Sequence, residues 1–307
     1  MELQLFRRVS FTMLHMTKDD SSIFQAKKVP VWVIAGVVLL YILCIMFVNL
    51  VYFTEGYYYP LAKLTNGWVD GTLSGSLIIL FMDVILFLLI IAKVPWRDMG
   101  LRKEKLLPGL TGFLLFWFAL HIADGLLNFF AGFGSYIRFN ELITYEPNTI
   151  FGSLFGQLFG NSLVEEIVFR GFLFVQLFLL FKRVRSSSLR LCAALLSSQV
   201  IFALTHIPNR IFNGYTGMEY VIDFFQLVYM GIIFCLLYWL TRNLFFVVGV
   251  HSLNNVKLLI WNSHYMEYTI LYGIPVLVIL LLLLKLIRHR SPRAAVHTPP
   301  PAAGDHT

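Results

Sequence analysis

The sequence predicts an all-α polytopic membrane protein, with about eight transmembrane helices around a polar intramembrane cavity. Three observations carry that expectation. The 307 residues are 58% hydrophobic and only 13% charged, against roughly 25% charged in a soluble domain. The mean hydropathy is +0.74. The apolar residues fall into runs mostly near or above the ~20 residues needed to cross a hydrocarbon core, and the loops between them alternate between basic and nearly uncharged.

Taken in order, the chain divides into a polar segment 1–28, a membrane body 29–290 and a tail 291–307. The first segment carries Arg7, Arg8, Lys18, Lys27 and Lys28. The apolar run 29–53 is too long for a signal-peptide core and lacks a small-residue cleavage site, so it reads as an uncleaved first span. Further runs lie at 73–94, 107–133, 150–181, 189–207, 220–240, 244–260 and 268–287. Pro208 stops the fifth, because proline cannot continue a helix. The seventh is short, which suits a helix lining a protein-enclosed cavity. The tail is rich in Pro and Ala, a composition expected to stay disordered.

Loop charge sets the expected orientation. The N-terminal segment, the loops 93–105 and 182–190, Arg242 and the end with Lys285, Arg288, Arg290 and Arg293 are basic. The alternate loops hold Lys63, Arg138 and Arg210 as their respective single cations. Positive residues stay inside, so both termini are expected on the cytoplasmic side of a cell membrane. The net charge of +7 thus reflects topology, and no nucleic-acid partner is expected. Cys44, Cys192 and Cys235 all sit in apolar runs and read as buried small hydrophobes.

Chemistry concentrates between residues 150 and 260. Asn161-Ser-Leu-Val-Glu-Glu-Ile-Val-Phe-Arg170 sets two carboxylates and a guanidinium in an apolar run. Each such charge costs about 2.5–3.5 kcal/mol in a bilayer on insertion scales. Glu166 and Arg170 are four residues apart and share a helix face, so they can pair. Glu165 is rotated off that pair and faces something else, which makes it a candidate general base. Gly152, Gly156 and Gly160 form a small-xxx-small ridge for close helix packing. The fifth run ends Phe202-Ala-Leu-Thr-His206 and the seventh holds His251-Ser-Leu-Asn-Asn255. His251 and Asn255, again four apart, project from one face.

Glu165 with His206 can hold and deprotonate a water, and His251 with Asn255 can donate to an oxygen becoming negative. General base plus oxyanion donors is the machinery of amide hydrolysis. Glu165, His206 and His251 are equally a ligand set for a catalytic zinc, and the spacing does not choose between the two. Asp83, His121, Asp124 and Asp223 are expected to pair with neighbours or line a water path. Lys257 and His264 lie near a membrane end.

These three motifs, in this order and each on its own membrane helix, resemble the CPBP family, the CAAX-protease and bacteriocin-processing (Abi) membrane proteins that include the type II CAAX prenyl endopeptidases. The resemblance covers about 161–255; a weaker likeness lies in Met99-Gly100-Leu101-Arg102. It implies an eight-helix intramembrane endopeptidase. Glu165 and His206 would activate water, His251 and Asn255 would form the oxyanion hole, and Glu166 and Arg170 would support the site, without a metal cofactor. The implied partner is a membrane-associated peptide or lipidated protein entering from the lipid bilayer. A non-catalytic immunity or scaffold protein of the same fold is the first alternative. A proton-coupled transporter is the second, and is disfavoured by the lack of inverted repeats.

Overall fold

The computed structural model describes residues 24–290. The expected cytoplasmic segment, up to residue 23, and the expected disordered tail lie outside the described residues.

Six helices are long and apolar enough to cross a membrane by length and composition. They are α1 (Val31–Phe53), α2 (Gly71–Ile91), α3 (Leu106–Phe130), α6 (Ser187–Thr205, followed directly by a short helix to Phe212), α7 (Met218–Thr241) and α9 (Met266–Arg290). Between α3 and α6 lie α4 (Pro147–Leu158) and α5 (161–180). The short α8 (Leu244–Val256) precedes α9. α5 has the length of a span but holds Glu165, Glu166 and Arg170; with it and α8, the eight expected spans all have a helical counterpart. Large apolar side chains such as Leu115, Phe118, Phe225 and Ile287 face outward, as a lipid-facing surface requires.

α5 is the axis of the bundle. From Ile167 to Val175 every side chain is buried, and a helix that is apolar almost all round belongs inside. Around it, α6 packs on α7, α8 on α3, and α2 on α4. Gly171 permits one close approach: a Cβ there would run into the carbonyl of Met99. The loop that makes this contact turns at Gly100, whose φ of +84° is open to glycine. The Met99–Arg102 stretch is therefore packed against the middle of α5, with Met99 fully buried.

Two boundaries differ from expectation. The fourth run is two helices instead of one over 150–181. Gly160 takes φ −122° and ψ −105°, far from helical values, and divides α4 from α5. The glycine ridge, expected to lock the motif helix, lies instead on α4 and the break after it, against the chain leading into α2 and the start of α2. A Cβ at Gly152 would meet the Gly67 carbonyl, at Gly156 the Asp70 carboxylate, and at Gly160 the carbonyl of Gly156 and the Ser76 side chain. The seventh run ends at Val256 instead of 260, because Lys257 adopts φ +51° and closes the helix.

The chain after Lys257 turns back into the protein. Trp261–Asn262 (β2) pairs antiparallel with Arg138–Phe139 (β1), Arg138 opposite Asn262 and Phe139 opposite Trp261. Asp124, fully buried on α3, anchors this return. It accepts from Trp261 Nε1 at 2.8 Å, Ser263 Oγ at 2.9 Å and Thr269 Oγ1 at 3.0 Å. His121 accepts the backbone N–H of Ile260 at 2.9 Å. Both residues pair with neighbours, as expected. Asp223 does too, accepting from Arg210 Nε at 2.8 Å. Lys257 Nζ lies 3.2 Å from Glu267, and His264 stacks on Phe133. Asp83 departs from expectation. It is fully buried on α2, and neither carboxyl oxygen has a hydrogen-bond partner.

Candidate active site

The second carboxylate of the motif, Glu166, is fixed first. It starts a stretch of α5, Glu166–Phe174, wound as a π-helix, a widening often found at functional positions. The expected pair is present: Arg170 Nη1 lies 3.3 Å from Glu166 Oε1, both side chains fully buried. The guanidinium also lies over the Phe202 ring at 4.4 Å and the Phe234 ring at 5.6 Å. Cation–π contact adds to the neutralisation of a buried charge.

Glu166 has a second partner that spacing does not reveal. His251 Nδ1 donates to the same Oε1 at 2.7 Å. The ring is stacked against Phe234 at 4.5 Å, which fixes its plane. A carboxylate holding one ring nitrogen decides which nitrogen faces the site, and here that nitrogen is Nε2. α8 delivers His251 to this place because its start is pinned: the Asn243 side chain caps Phe246 N–H and donates to the Lys105 carbonyl at 2.9 Å.

His206 is arranged the same way from the other side. It stands at the junction where α6 ends and the short helix with Pro208 begins. Its Nδ1 donates to the Phe202 carbonyl at 2.8 Å, since a carbonyl can only accept. Nε2 is again the exposed nitrogen.

Glu165 sits between these two rings. Oε1 is 3.6 Å from His206 Nε2, and Oε2 is 3.7 Å from His251 Nε2. Both separations exceed a hydrogen bond. The carboxylate is framed by two imidazoles and locked by neither, so both oxygens stay available to a third group. Glu165 is nearly buried, with 5% of its surface exposed, and that remnant opens onto a cavity of about 390 Å³. Tyr41, Asn49, Gln157, His206 and Asn255 share its lining.

Asn255, one turn beyond His251, reaches the cavity but not Glu165. Its Nδ2 donates to Gln157 Oε1 at 2.9 Å. Gln157 also accepts from Ser162 Oγ at 2.9 Å and Asn161 Nδ2 at 3.4 Å. This glutamine joins the end of α4, the start of α5 and the end of α8. Sequence reading missed it; the available signal was a lone amide four residues before Asn161 in an apolar stretch. At the opposite rim, Asn209 donates to Asn49 at 3.1 Å and accepts from Arg210 at 2.9 Å. Asn254 Nδ2 donates to Asn255 Oδ1 at 3.5 Å.

The structure therefore brings Glu165, Glu166, Arg170, His206 and His251 into one network, with Asn255 on the same cavity wall. Gly152, Gly156 and Gly160 stay outside it, as packing positions. In this arrangement, no group of three His, Cys, Asp or Glu side chains among the described residues meets the spacing of a metal site.

Residues 147–257 match the family model of type II CAAX prenyl endopeptidase Rce1-like proteins. That span runs from the first residue of α4 to just past α8, so it encloses the whole network around Glu165. The match supports the CPBP, or CAAX-protease, family that the motifs resemble. No curated protein and no solved structure matches the chain.

Proposed function

From the match to type II CAAX prenyl endopeptidases, we propose that this integral, multi-pass membrane protein is an intramembrane endopeptidase. It hydrolyses a peptide bond in a membrane-associated substrate, either a CAAX-type lipidated tail or a free peptide. The observation that carries the reading is the convergence of two imidazole Nε2 atoms on the two oxygens of one unlocked carboxylate, at 3.6 and 3.7 Å, on a cavity wall.

In this mechanism Glu165 takes a proton from water while His206 Nε2 accepts the water's second hydrogen bond. The hydroxide oxygen attacks the scissile carbonyl carbon, and the C=O pair moves onto oxygen. The resulting oxyanion is received by the Asn255 amide and by His251. With its Nδ1–H held by Glu166, His251 meets the oxyanion through Nε2. The protonated Glu165 then passes its proton to the amide nitrogen as the C–N bond breaks. Glu166 and Arg170 act through His251: they orient it and neutralise one another. Substrate enters laterally from the bilayer, and the basic ends of the helices face the cytoplasm.

The test is cleavage by the purified chain of a panel of prenylated and unprenylated peptides. Glu165→Gln should abolish turnover while leaving the melting curve unchanged, and a strong chelator should leave the wild type active. A fully active Glu165→Gln protein would overturn the assignment of the base. Loss of activity with chelator and its return with zinc would turn the same three side chains into a metal site.

A further inference from the structure

Far from the Glu165 cavity, a second pocket of about 430 Å³ lies where three helix ends meet. Phe24, Lys28, Phe178, Leu179, Lys182 and Arg190 line it. Lys28 precedes α1, Lys182 follows α5, and Arg190 stands in the first turn of α6. α1 and α6 are long and apolar enough to cross a membrane, so the pocket sits at the boundary between hydrocarbon and water.

The pocket is built, not incidental. Gln176, fully buried on α5, accepts from Val29 N–H at 3.0 Å and donates to the Lys27 carbonyl at 3.0 Å. These two bonds strap the segment before α1 onto α5. They seat Phe24 on Phe178, ring centroids 3.7 Å apart. Arg190 lays its guanidinium on the same Phe178 ring at 4.0 Å. Its Nε is buried and has no hydrogen-bond partner.

The charge here is one-sided. The stretch 181–190 contains Lys182, Arg183, Arg185 and Arg190 and no carboxylate. Among the described residues, none of the ion pairs involves Lys28, Lys182 or Arg190. Asp98, at this end of the bundle, accepts the backbone N–H of Lys27 at 2.9 Å and does not line the pocket. Three like charges around one concavity repel each other unless an anion joins them. The floor beneath them is aromatic and aliphatic. A ligand that satisfies both halves carries a phosphate and hydrocarbon together.

We propose that this pocket binds a phosphate anion, supplied in the membrane by the headgroup of an anionic phospholipid. The phosphate meets Lys28, Lys182 and Arg190, and the first methylenes lie on Phe24, Phe178 and Leu179. Occupied, the pocket ties together the ends of α1, α5 and α6, and α5 is the helix that carries Glu165.

The experiment compares lipid retention and melting temperature of the full-length detergent-purified protein with three probes: phosphatidylglycerol, phosphatidylcholine and inorganic phosphate. Phosphatidylglycerol should be retained in preference to phosphatidylcholine and should raise the melting temperature. Each cation near a membrane surface contributes about fivefold in affinity, so Lys28→Gln/Lys182→Gln/Arg190→Gln should weaken retention by roughly a hundredfold. Arg183→Gln/Arg185→Gln, in the same loop but outside the pocket lining, should retain it. Inorganic phosphate that stabilises the wild type as well as phosphatidylglycerol, and not the triple variant, would identify free phosphate as the source of the same anion. Equal retention of both lipids, or equal loss in the Arg183/Arg185 control, would overturn the proposal. The wild-type and control titrations decide it even if the triple variant does not fold.

Discussion

Replacing Arg170 by methionine removes a fully buried guanidinium and leaves the Glu166 carboxylate in the core of α5. That carboxylate would keep the bond from His251 at 2.7 Å and lose its charge partner. Breaking one partner out of a buried pair costs about 3–5 kcal/mol, and losing the contact with the Phe202 ring adds up to ~2 kcal/mol. Glu166→Gln strands the opposite charge. Arg170 then keeps its ring faces but loses its ion pair with Glu166, so the cost falls in the same range of about 3–5 kcal/mol. The double variant removes both charges, and the amide oxygen introduced by Glu166→Gln can still accept from His251. Its destabilisation should fall short of the sum of the singles by at least ~2 kcal/mol, since contacting residues are not additive. Thermal and chemical unfolding in detergent, followed by circular dichroism, reads the cycle. Each single should melt about 5–10 °C below the wild type, and the double should melt above the temperature that the two single shifts added together would give. Additive effects, or a single variant that melts like the wild type, would refute the pair as an energetic unit. The double should also stay slow in peptide cleavage, because an amide fixes the His251 ring less firmly than a carboxylate.

Other substitutions test other parts of the structure. Asn255→Ala should lower turnover by about 10²–10³-fold, the effect of removing one oxyanion donor, with the melting temperature essentially unchanged; full activity would take Asn255 out of the reaction. Gly171→Ala places a methyl at the Met99 carbonyl and should cost ~1–3 kcal/mol as an overpacked contact, measured by unfolding; a neutral effect would mean that the Met99–Arg102 loop is free to shift. Asp124→Ala strands Trp261, Ser263 and Thr269 as donors and should cost about 3 kcal/mol or more. It should also open the 257–265 segment to limited proteolysis, and unchanged protection would show that the strand pairing holds by itself.

What was legible in the sequence was whatever depends on local period and on charge in an apolar run. The helices α1, α2, α3, α7 and α9 start and stop within a few residues of the expected limits. Glu166 and Arg170 meet because four residues make one helical turn. His251 and Asn255 share a wall for the same reason. Contacts between elements were not legible. That Glu166 also holds His251, 85 positions away, follows from how α8 crosses α5, and no spacing rule reports a crossing. Gln157 escapes notice because a single amide carries no pattern, and its role appears once α4, α5 and α8 are side by side. The break at Gly160 is hidden by its own signal, since a glycine every fourth residue also reads as a packing ridge. Lys257 ends α8 in a left-handed conformation that its residue type does not announce. Asp83 invites the expectation of a polar neighbour, but α2 carries its carboxyl to a place where neither oxygen has a hydrogen-bond partner.

The i,i+4 spacing of Glu166 and Arg170 has a consequence for biogenesis. A chain is inserted as it is synthesised, and α5 reaches the bilayer before Phe202, Phe234 and His251 have left the ribosome. A pair made across helices would leave both charges exposed to lipid during that interval, at about 2.5–3.5 kcal/mol each. A pair closed within one turn enters already neutralised, and Glu165 alone crosses as an unmatched charge. The later helices then arrive at a carboxylate whose position is set, and the imidazoles of His206 and His251 are recruited to it. The order of the motifs along the chain is thus also an order of assembly: first the internal pair, then the two rings that frame its neighbour.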